Sequence, residues 1–347
     1  MLSYILFIVL VAFFLYQSNF RDRTRYRAYF ACFLIVFIAA FRFDVGFDYS
    51  NYYDLIESLD VAELAVFSLW EPAHLILIYI CKYFDCTALY MILISLFTTI
   101  SILYAIYNYN KKTEWFIGVL IYLSLYYLHG FSTMRQAAAV AVILLSYPFI
   151  RDGKFLKFLM MQALALLFHY SSICVLPIYF IYNYVNNKNQ LLYYALIVVG
   201  GSFMHLLSNT RYAVYLGNED LGGGDKTKYL YIIIILIHYL LYKKCHCNTP
   251  QMKFFYVFLL GCLFPFMFGG HIGARLQEYY FCFAFFVFPQ IIVRCGAQMK
   301  KIAYCMFALL FVFQVYNSHI NAVFAGKDQY IPYRTIFNAN LRNPHFK

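Results

Sequence analysis

Charge is what this chain has least of. Only 12% of its 347 residues are Asp, Glu, Lys or Arg, about half the share found in soluble domains. That is too little to make an ordinary water-exposed surface. Acids are scarcer than bases, 16 against 27. The net charge of +11 still does not describe a nucleic-acid binder, because the bases are scattered through short stretches between apolar runs and form no basic domain or stripe. The short apolar–polar alternation of a transmembrane barrel is missing as well. The first apolar run has no basic n-region and no small-residue cleavage site, so it reads as a membrane helix and not as a cleavable signal. No internal repeat of the kind that marks inverted-repeat transporters stands out. Cys245-His246-Cys247 lacks the second ligand pair that would make it a metal site. Of the ten cysteines, Cys32, Cys174, Cys262, Cys282 and Cys305 lie in apolar runs, where a thiol behaves as a small hydrophobe.

What fills the chain instead is hydrocarbon: 63% of residues are hydrophobic and the mean hydropathy is +0.65. The apolar runs are long enough, or nearly so, to cross about 30 Å of bilayer core. The expected fold class is therefore an all-α polytopic integral membrane protein, with residues 1–347 forming a single transmembrane domain. Basic loops set the orientation, since Lys and Arg accumulate on the cytoplasmic side. Leu2–Gln17 leads to Arg21, Arg23, Arg25 and Arg27, which puts the N-terminus outside. Ala28–Phe41 returns outward, and residues 42–87 form an extracytoplasmic loop. Within it, Glu71–Phe84 reads as a re-entrant or interfacial helix, because counting it as a crossing would invert every later loop. Ala88–Tyr107, Trp115–Leu128, Ala137–Ile150, Phe155–Phe168, Ile173–Tyr182, Leu191–Leu207, Tyr229–Tyr242, Phe254–Gly269, Gln277–Val293 and Ile302–Val315 then alternate. This gives about twelve transmembrane helices, with a second extracytoplasmic loop at 208–228, containing Gly222–Asp225, and an extracytoplasmic tail at 317–347. Several spans are only about 10–15 residues, roughly 15–22 Å long. Such short pieces are tolerated in a membrane only where protein covers them or where they line a wet cavity.

This threading gathers the unusual polar residues on one side. Arg42, Asp44, Asp48, Glu71, His74, Arg135, Gln136, His169, Tyr170, Arg211, Asp220, Asp225, His271, Arg275, Gln277 and Glu278 all fall on the outer face, most of them beside helix ends. Arg42–Glu71, the stretch that opens the first outer loop, carries seven acids (Asp44, Asp48, Asp54, Glu57, Asp60, Glu63 and Glu71) and one base, Arg42. Ionisable groups at a membrane edge need water, partners or a function. The four arginines suit a phosphate or another anion, because guanidinium is always charged and binds phosphate oxygens in pairs. Arg135 opens a helix whose dipole it opposes. The bland alternatives are a snorkelling Arg135, an Arg275–Glu278 ion pair three residues apart, and a histidine at position 169 with a purely structural bond. Most of the 36 tyrosines and 38 phenylalanines are packing and interfacial belt, while tyrosines of the first loop, Tyr49 and Tyr52 among them, are placed to stack on sugar rings.

The stretch FRFDVGFDYSNYYDLI resembles the Arg-x-x-x-Gly-x-Asp-Tyr-x-x-Tyr signature of the EpsG family, Wzy-type polymerases of O-antigen, capsule and exopolysaccharide. Arg42, Gly46, Asp48, Tyr49 and Tyr52 or Tyr53 occupy its places. STMRQAAAVAVILLS is similar to that family's Met-Arg-Gln helix start, at Arg135 and Gln136. LLFHYSSICVLPIY is similar to its Phe-His-x-Ser turn, at His169. A looser likeness surrounds Ala274–Tyr280. The resemblance implies polymerisation of undecaprenyl-pyrophosphate-linked oligosaccharide repeat units outside a bacterial cytoplasmic membrane, by en bloc glycosyl transfer to a new unit. It implies no cofactor and no metal, since pyrophosphate is already a good leaving group. Membrane lipids, a chain-length regulator and a flippase are the further partners implied; nucleic acid is not among them. In such an enzyme Arg42, Arg135 and Arg275 hold the departing pyrophosphate, with Gln136, Tyr49 and Tyr52 beside the substrate. Asp48 is the first candidate for the base that takes the acceptor proton, followed by His169 and Glu278.

Two other classes share these features. An integral-membrane glycosyltransferase using a lipid-phosphate sugar would bind a divalent cation on Asp44 and Asp48. A lipid-glycan transporter would need polar residues along the whole path, whereas here the cytoplasmic half is apolar. A ligase or an O-acetyltransferase is a further alternative, one the first-loop signature does not suggest.

Overall fold

The computed structural model describes residues 1–20, 25–58, 70–111, 114–185, 250–268, 270–325 and 328–337. The spans expected at Leu191–Leu207 and Tyr229–Tyr242, the 208–228 loop, Cys245-His246-Cys247, and residues 338–347 of the tail lie outside these. Among the described residues the fold is all-α, apart from one two-residue antiparallel ladder.

The chain begins with α1 (Leu2–Phe20) and α2 (Arg25–Ala40), which pack on each other. Strand β1 (Arg42–Phe43) and α3 (Tyr49–Ser58) carry the first-loop motif. Next come α4 (Pro72–Tyr83) and α5 (Ala88–Tyr109), the latter 22 residues long and apolar enough to cross a membrane. Helix α4 has 12 residues, about 18 Å, and Pro72 at its first turn fits a position where no backbone donor is needed. The chain then breaks repeatedly. Helix α6 (Trp115–Tyr122) runs into a π-helical turn at Leu123–Tyr127, then into the one-turn α7 (His129–Ser132) and α8 (Met134–Leu145). The short α9 (Tyr147–Arg151), α10 (Phe155–Phe168), a 3-10 turn at Tyr170–Val175 and α11 (Leu176–Tyr184) follow. The later part comprises α12 (Pro250–Phe268), α13 (Gly270–Phe281), α14 (Ala284–Arg294) and α15 (Ala297–Ala325), closing on β2 (Arg334–Thr335).

Among the described residues two helices are long and apolar enough to span by themselves, α5 and the Ala297–Ala322 part of α15. The α13–α14 pair is a third if its 55° bend is counted within one span. That bend falls inside the run expected as a single helix at Gln277–Val293. Six shorter apolar helices of 10–17 residues are also found among the described residues. Short pieces need cover from neighbours to satisfy their freed backbone groups, and α8 shows how this is met. Every residue from Gln136 to Leu144 is buried, and the helix packs against α5, α10 and α13. A helix that is apolar all round belongs at the centre of a bundle. The run Ala137-Ala138-Ala139 lets those neighbours approach closely.

The last helix differs from expectation. Hydropathy ends the span near Val315, but α15 continues to Ala325. Gln314, Asn317, Ser318 and Asn321 lower the hydropathy without stopping a helix, and no Gly or Pro interrupts the sequence before Gly326. After α15 the chain turns back as a strap over the first-loop motif. Arg42 pairs with Thr335 and Phe43 with Arg334. The N–H of Gly46 donates to the Gln329 carbonyl at 2.7 Å, and that of Ile336 donates to Phe41. The hydroxyls of Tyr4, Tyr330 and Tyr333 bond carbonyls of Tyr330, Leu128 and Ile38.

Basic residues mark the opposite end of the bundle. Glu114, just ahead of α6, feels the charges of Lys111, Arg294 and Lys300. Arg151 and Lys154 both bond Asp152 beyond α9.

Candidate active site

The first-loop motif turns on Gly46. Its φ of +109° is one that L side chains rarely adopt, and a Cβ there would lie 2.4 Å from the Phe131 carbonyl oxygen. Only glycine fits both demands. The contact seats the loop on α7, and the next amide, of Phe47, donates to Ser132 Oγ at 2.9 Å. Asp48 is thereby carried to the N-terminal end of α8.

Arg42 sits differently. Its side chain is buried, donating to the carbonyls of Ala39 and Val45 and to Ser95 Oγ, with its guanidinium carbon 4.3 Å from the centre of the Phe131 ring. Ala39 belongs to the last turn of α2, where carbonyls lack partners within the helix and attract a cation. Arg42 therefore closes the end of α2 and ties it to α5. Tyr49 likewise points inward, fully buried against Phe43 and Tyr53. The structure does not bring these two residues to the polar cluster that the other expected site residues form. Asp44, at φ +51°, faces Arg334 at 3.8 Å.

The cluster centres on Glu71. One carboxylate oxygen accepts from Arg135 Nη1 at 2.5 Å; the other meets His169 Nδ1 at 2.7 Å and the Tyr170 amide at 3.4 Å. Burial alone would raise the Glu71 pKa, but the His169 hydrogen bond and the Arg135 charge outweigh it and hold the group down at about 2. An ionised carboxylate only accepts, so Nδ1 of His169 carries the proton. That leaves Nε2 as the atom able to take another. Arg135 Nε donates to Tyr52 OH at 2.7 Å, so Tyr52 positions the guanidinium. His74, in α4, packs its ring edge-on to Tyr52 and bonds Tyr90 OH at 2.6 Å. Burial, with Arg135 nearby, lowers its pKa to about 3, which keeps it neutral.

A second carboxylate–histidine pair lies across the start of α8. His129 Nε2 meets Glu278 Oε1 at 2.5 Å, and Tyr126 OH donates to the other Glu278 oxygen at 3.4 Å. The Glu278 charge, with its hydrogen bond, raises the His129 pKa against the effect of burial. Gln136 Nε2 donates to the Arg275 carbonyl at 2.6 Å, joining α8 to α13. Ser171 and Tyr279 share a hydroxyl–hydroxyl bond of 2.9 Å that joins the 3-10 turn to the same helix.

Asp48 lies between the two pairs. It is half-buried, and the charges of Arg275, Arg135 and His129 all act on it. Burial raises its pKa and wins over those three cations. Among the described residues its carboxylate makes no hydrogen bond, whereas those of Glu71 and Glu278 are both taken up. The arrangement therefore offers two things together: cations for an anionic group, and one half-desolvated carboxylate with open lone pairs. Among the described residues no group of three or more His, Cys, Asp or Glu is placed to hold a metal ion.

Of the expected residues, Asp48, Tyr52, Arg135, Gln136, His169, Arg275 and Glu278 meet around the start of α8. Two further participants emerge from the geometry. Glu71 is legible in the sequence as one of the outer-face polar residues, without a role of its own, yet it joins Arg135 to His169. His129 was not singled out at all. Its signal was available: like His169, it follows directly on an apolar run, and it precedes Gly130 at a break between helices.

Comparison with known proteins gives one match. The family model described as EpsG family covers residues 25–335, most of the chain; the family comprises Wzy-like polysaccharide polymerase-type membrane proteins. Neither the curated proteins nor the solved structures contain a match.

Proposed function

The chain belongs to the EpsG family, and from that premise we propose that it polymerises undecaprenyl-pyrophosphate-linked oligosaccharide units on the outer face of a bacterial cytoplasmic membrane. The observation that carries this reading is the position of Asp48, a half-buried carboxylate that makes no hydrogen bond among the described residues and is acted on by Arg275, Arg135 and His129. Glycosyl transfer from a diphosphate needs a base for the acceptor hydroxyl and positive charge for the departing diphosphate. Both are present in one place.

In the proposed reaction Asp48 accepts the proton of an acceptor hydroxyl. That oxygen bonds to the anomeric carbon of the growing chain while the bond from that carbon to the diphosphate oxygen breaks. The electron pair leaves with undecaprenyl diphosphate, whose new charge faces Arg135 and Arg275. Glu71, His169 and Tyr52 hold Arg135 in position, and Gln136 fixes α8 against the backbone that carries Arg275. Arg42 and Gly46 act one step back, by shaping the loop that presents Asp48. The outward orientation is supported by the separation between this site and the basic end around Lys111, Arg294 and Lys300.

The test is a polysaccharide gel from a strain lacking the gene, rescued with wild type, Asp48→Asn or Arg135→Ala. The null strain should stop at a single repeat unit. Wild type should restore the ladder, and neither variant should do so while reaching the membrane at normal level. Full-length polymer from the null strain, or a restored ladder with Arg135→Ala, overturns the assignment.

A further inference from the structure

Beside the cluster, an open groove of about 320 Å³ runs between the outer end of α15 and the strap. Gln314, Asn317, Ser318 and Asn321 line one wall, Gln329 lies opposite, and His129 is at its edge. The four residues of α15 follow the i, i+3, i+4, i+7 spacing of a single helix face. Such a face at the end of a membrane helix would ordinarily carry apolar anchors or bases. This one carries amides and a hydroxyl, all uncharged, each able to donate and accept. Among the described residues, the side chains of Gln314, Asn317, Ser318 and Asn321 form no hydrogen bond with the protein.

Uncharged groups that both donate and accept match sugar hydroxyls, which also do both. They do not match phosphate, which only accepts and calls for guanidinium or ammonium. Among the described residues that line the groove there is no carboxylate, lysine or arginine; its one imidazole, His129, is engaged with Glu278, and the Tyr330 hydroxyl donates to the Leu128 carbonyl. The groove is also tied to the motif loop, because the carbonyl of its residue Gln329 accepts from Gly46. Its contents would therefore lie beside the loop that presents Asp48 and against His129, whose charge acts on Asp48. We propose that this amide-lined groove binds the terminal sugar of the incoming acceptor saccharide and directs one of its hydroxyls past His129 toward Asp48.

The assignment of acceptor rather than donor follows from charge. The donor sugar is bonded to diphosphate and must lie where Arg135 and Arg275 are, whereas the acceptor's reacting end carries no diphosphate. This inference rests on the polymerase reading, and the two can fail separately.

The probe is the lipid-free repeat-unit oligosaccharide, released by mild acid from the carrier lipid that accumulates in the null strain. Binding to purified protein in nanodiscs is measured by saturation-transfer NMR and titration. Elongation is measured with the same oligosaccharide as acceptor. Losing two of the amides should weaken binding about tenfold, at roughly 0.5–1.5 kcal/mol per hydrogen bond. Asn317→Ala with Asn321→Ala should therefore raise the dissociation constant and the acceptor KM together, with little change in kcat. Ser318→Trp, which fills the open groove from its half-buried position on α15, should abolish binding while the thermal midpoint holds. Arg135→Ala should bind the oligosaccharide normally yet fail to elongate. Unchanged binding in both groove variants overturns the acceptor site and leaves the polymerase intact. A null strain that accumulates no single-unit carrier overturns the polymerase reading, and the acceptor site with it.

Discussion

At the scale of single residues, the site is a set of charges that hold one another in place and leave one carboxylate free. Glu71 serves two partners from distant parts of the chain, so its loss should be felt in both fold and activity. Glu71→Gln keeps the shape but removes the charge that orients Arg135 and fixes the His169 tautomer. It should cost about 1–3 kcal/mol of stability and abolish polymer, measured by thermal melting in detergent and by gel; normal polymer would remove Glu71 from the site. Acid should not imitate that variant until low pH. The Glu71 pKa is depressed to about 2, so its contribution is complete above the ordinary carboxyl range and lost only as the pH falls toward that value. The His129–Glu278 pair behaves in the opposite sense. The raised pKa of His129 means its contribution is complete below the ordinary imidazole value of about 6.5 and fades as the pH rises through the shifted one. Melting temperature should therefore decline as the pH rises above the ordinary imidazole value, and His129→Gln should flatten that decline. An unaltered profile in the variant would show that another group titrates. Much of this was legible in the sequence. Asp48, Arg135, His169 and Glu278 are polar groups at the ends of apolar runs, and such groups are rare enough to be noticed. Their pairing was not legible, because Glu71 finds Arg135 and His169 at separations of 64 and 98 residues. Glu278 suggested Arg275, its neighbour along the helix, but is held by His129.

At the scale of elements, the controlling feature is the loop between α2 and α3, pinned on two sides. Arg42 closes the end of α2, Gly46 rests on the Phe131 backbone, and the strap hydrogen-bonds to both neighbours of the turn. Motif residues thus divide into those that build the loop and those it presents. Sequence pattern alone could not separate them, since Arg42 and Asp48 sit in one short signature. The difference is set by which way the chain turns at Gly46. Gly46→Ala should be worse than a typical surface change. It combines about 1–3 kcal/mol of backbone strain with a clash against a main-chain oxygen that has little room to move. Lower yield and a reduced melting temperature should accompany loss of polymer; a fully stable and active Gly46→Ala protein would contradict the geometry. The strap itself was read only as a polar tail, because the carbonyls that Tyr330 and Tyr333 bond lie 202 and 295 residues away along the chain.

At the scale of the whole molecule, composition announces a membrane protein and hydropathy finds most of its helices, since burying hydrocarbon dominates both. It is less informative about where helices break. The π-helical turn before α7, the 55° bend between α13 and α14, and the extension of α15 arise from packing. The breaks put helix ends, and the polar side chains they carry, against protein instead of lipid. They bring α3, α8, α13 and the 3-10 turn after α10 to one edge of the bundle, and the site is made there. The most direct test of this account is elongation by the purified protein in nanodiscs, supplied only with lipid-linked single repeat units from the null strain. Wild type should convert them into a ladder of lipid-linked polymers, releasing one undecaprenyl diphosphate for each linkage formed, and Asp48→Asn should do neither. Ladder formation by Asp48→Asn at the wild-type rate, or no elongation by folded wild-type protein, would contradict it.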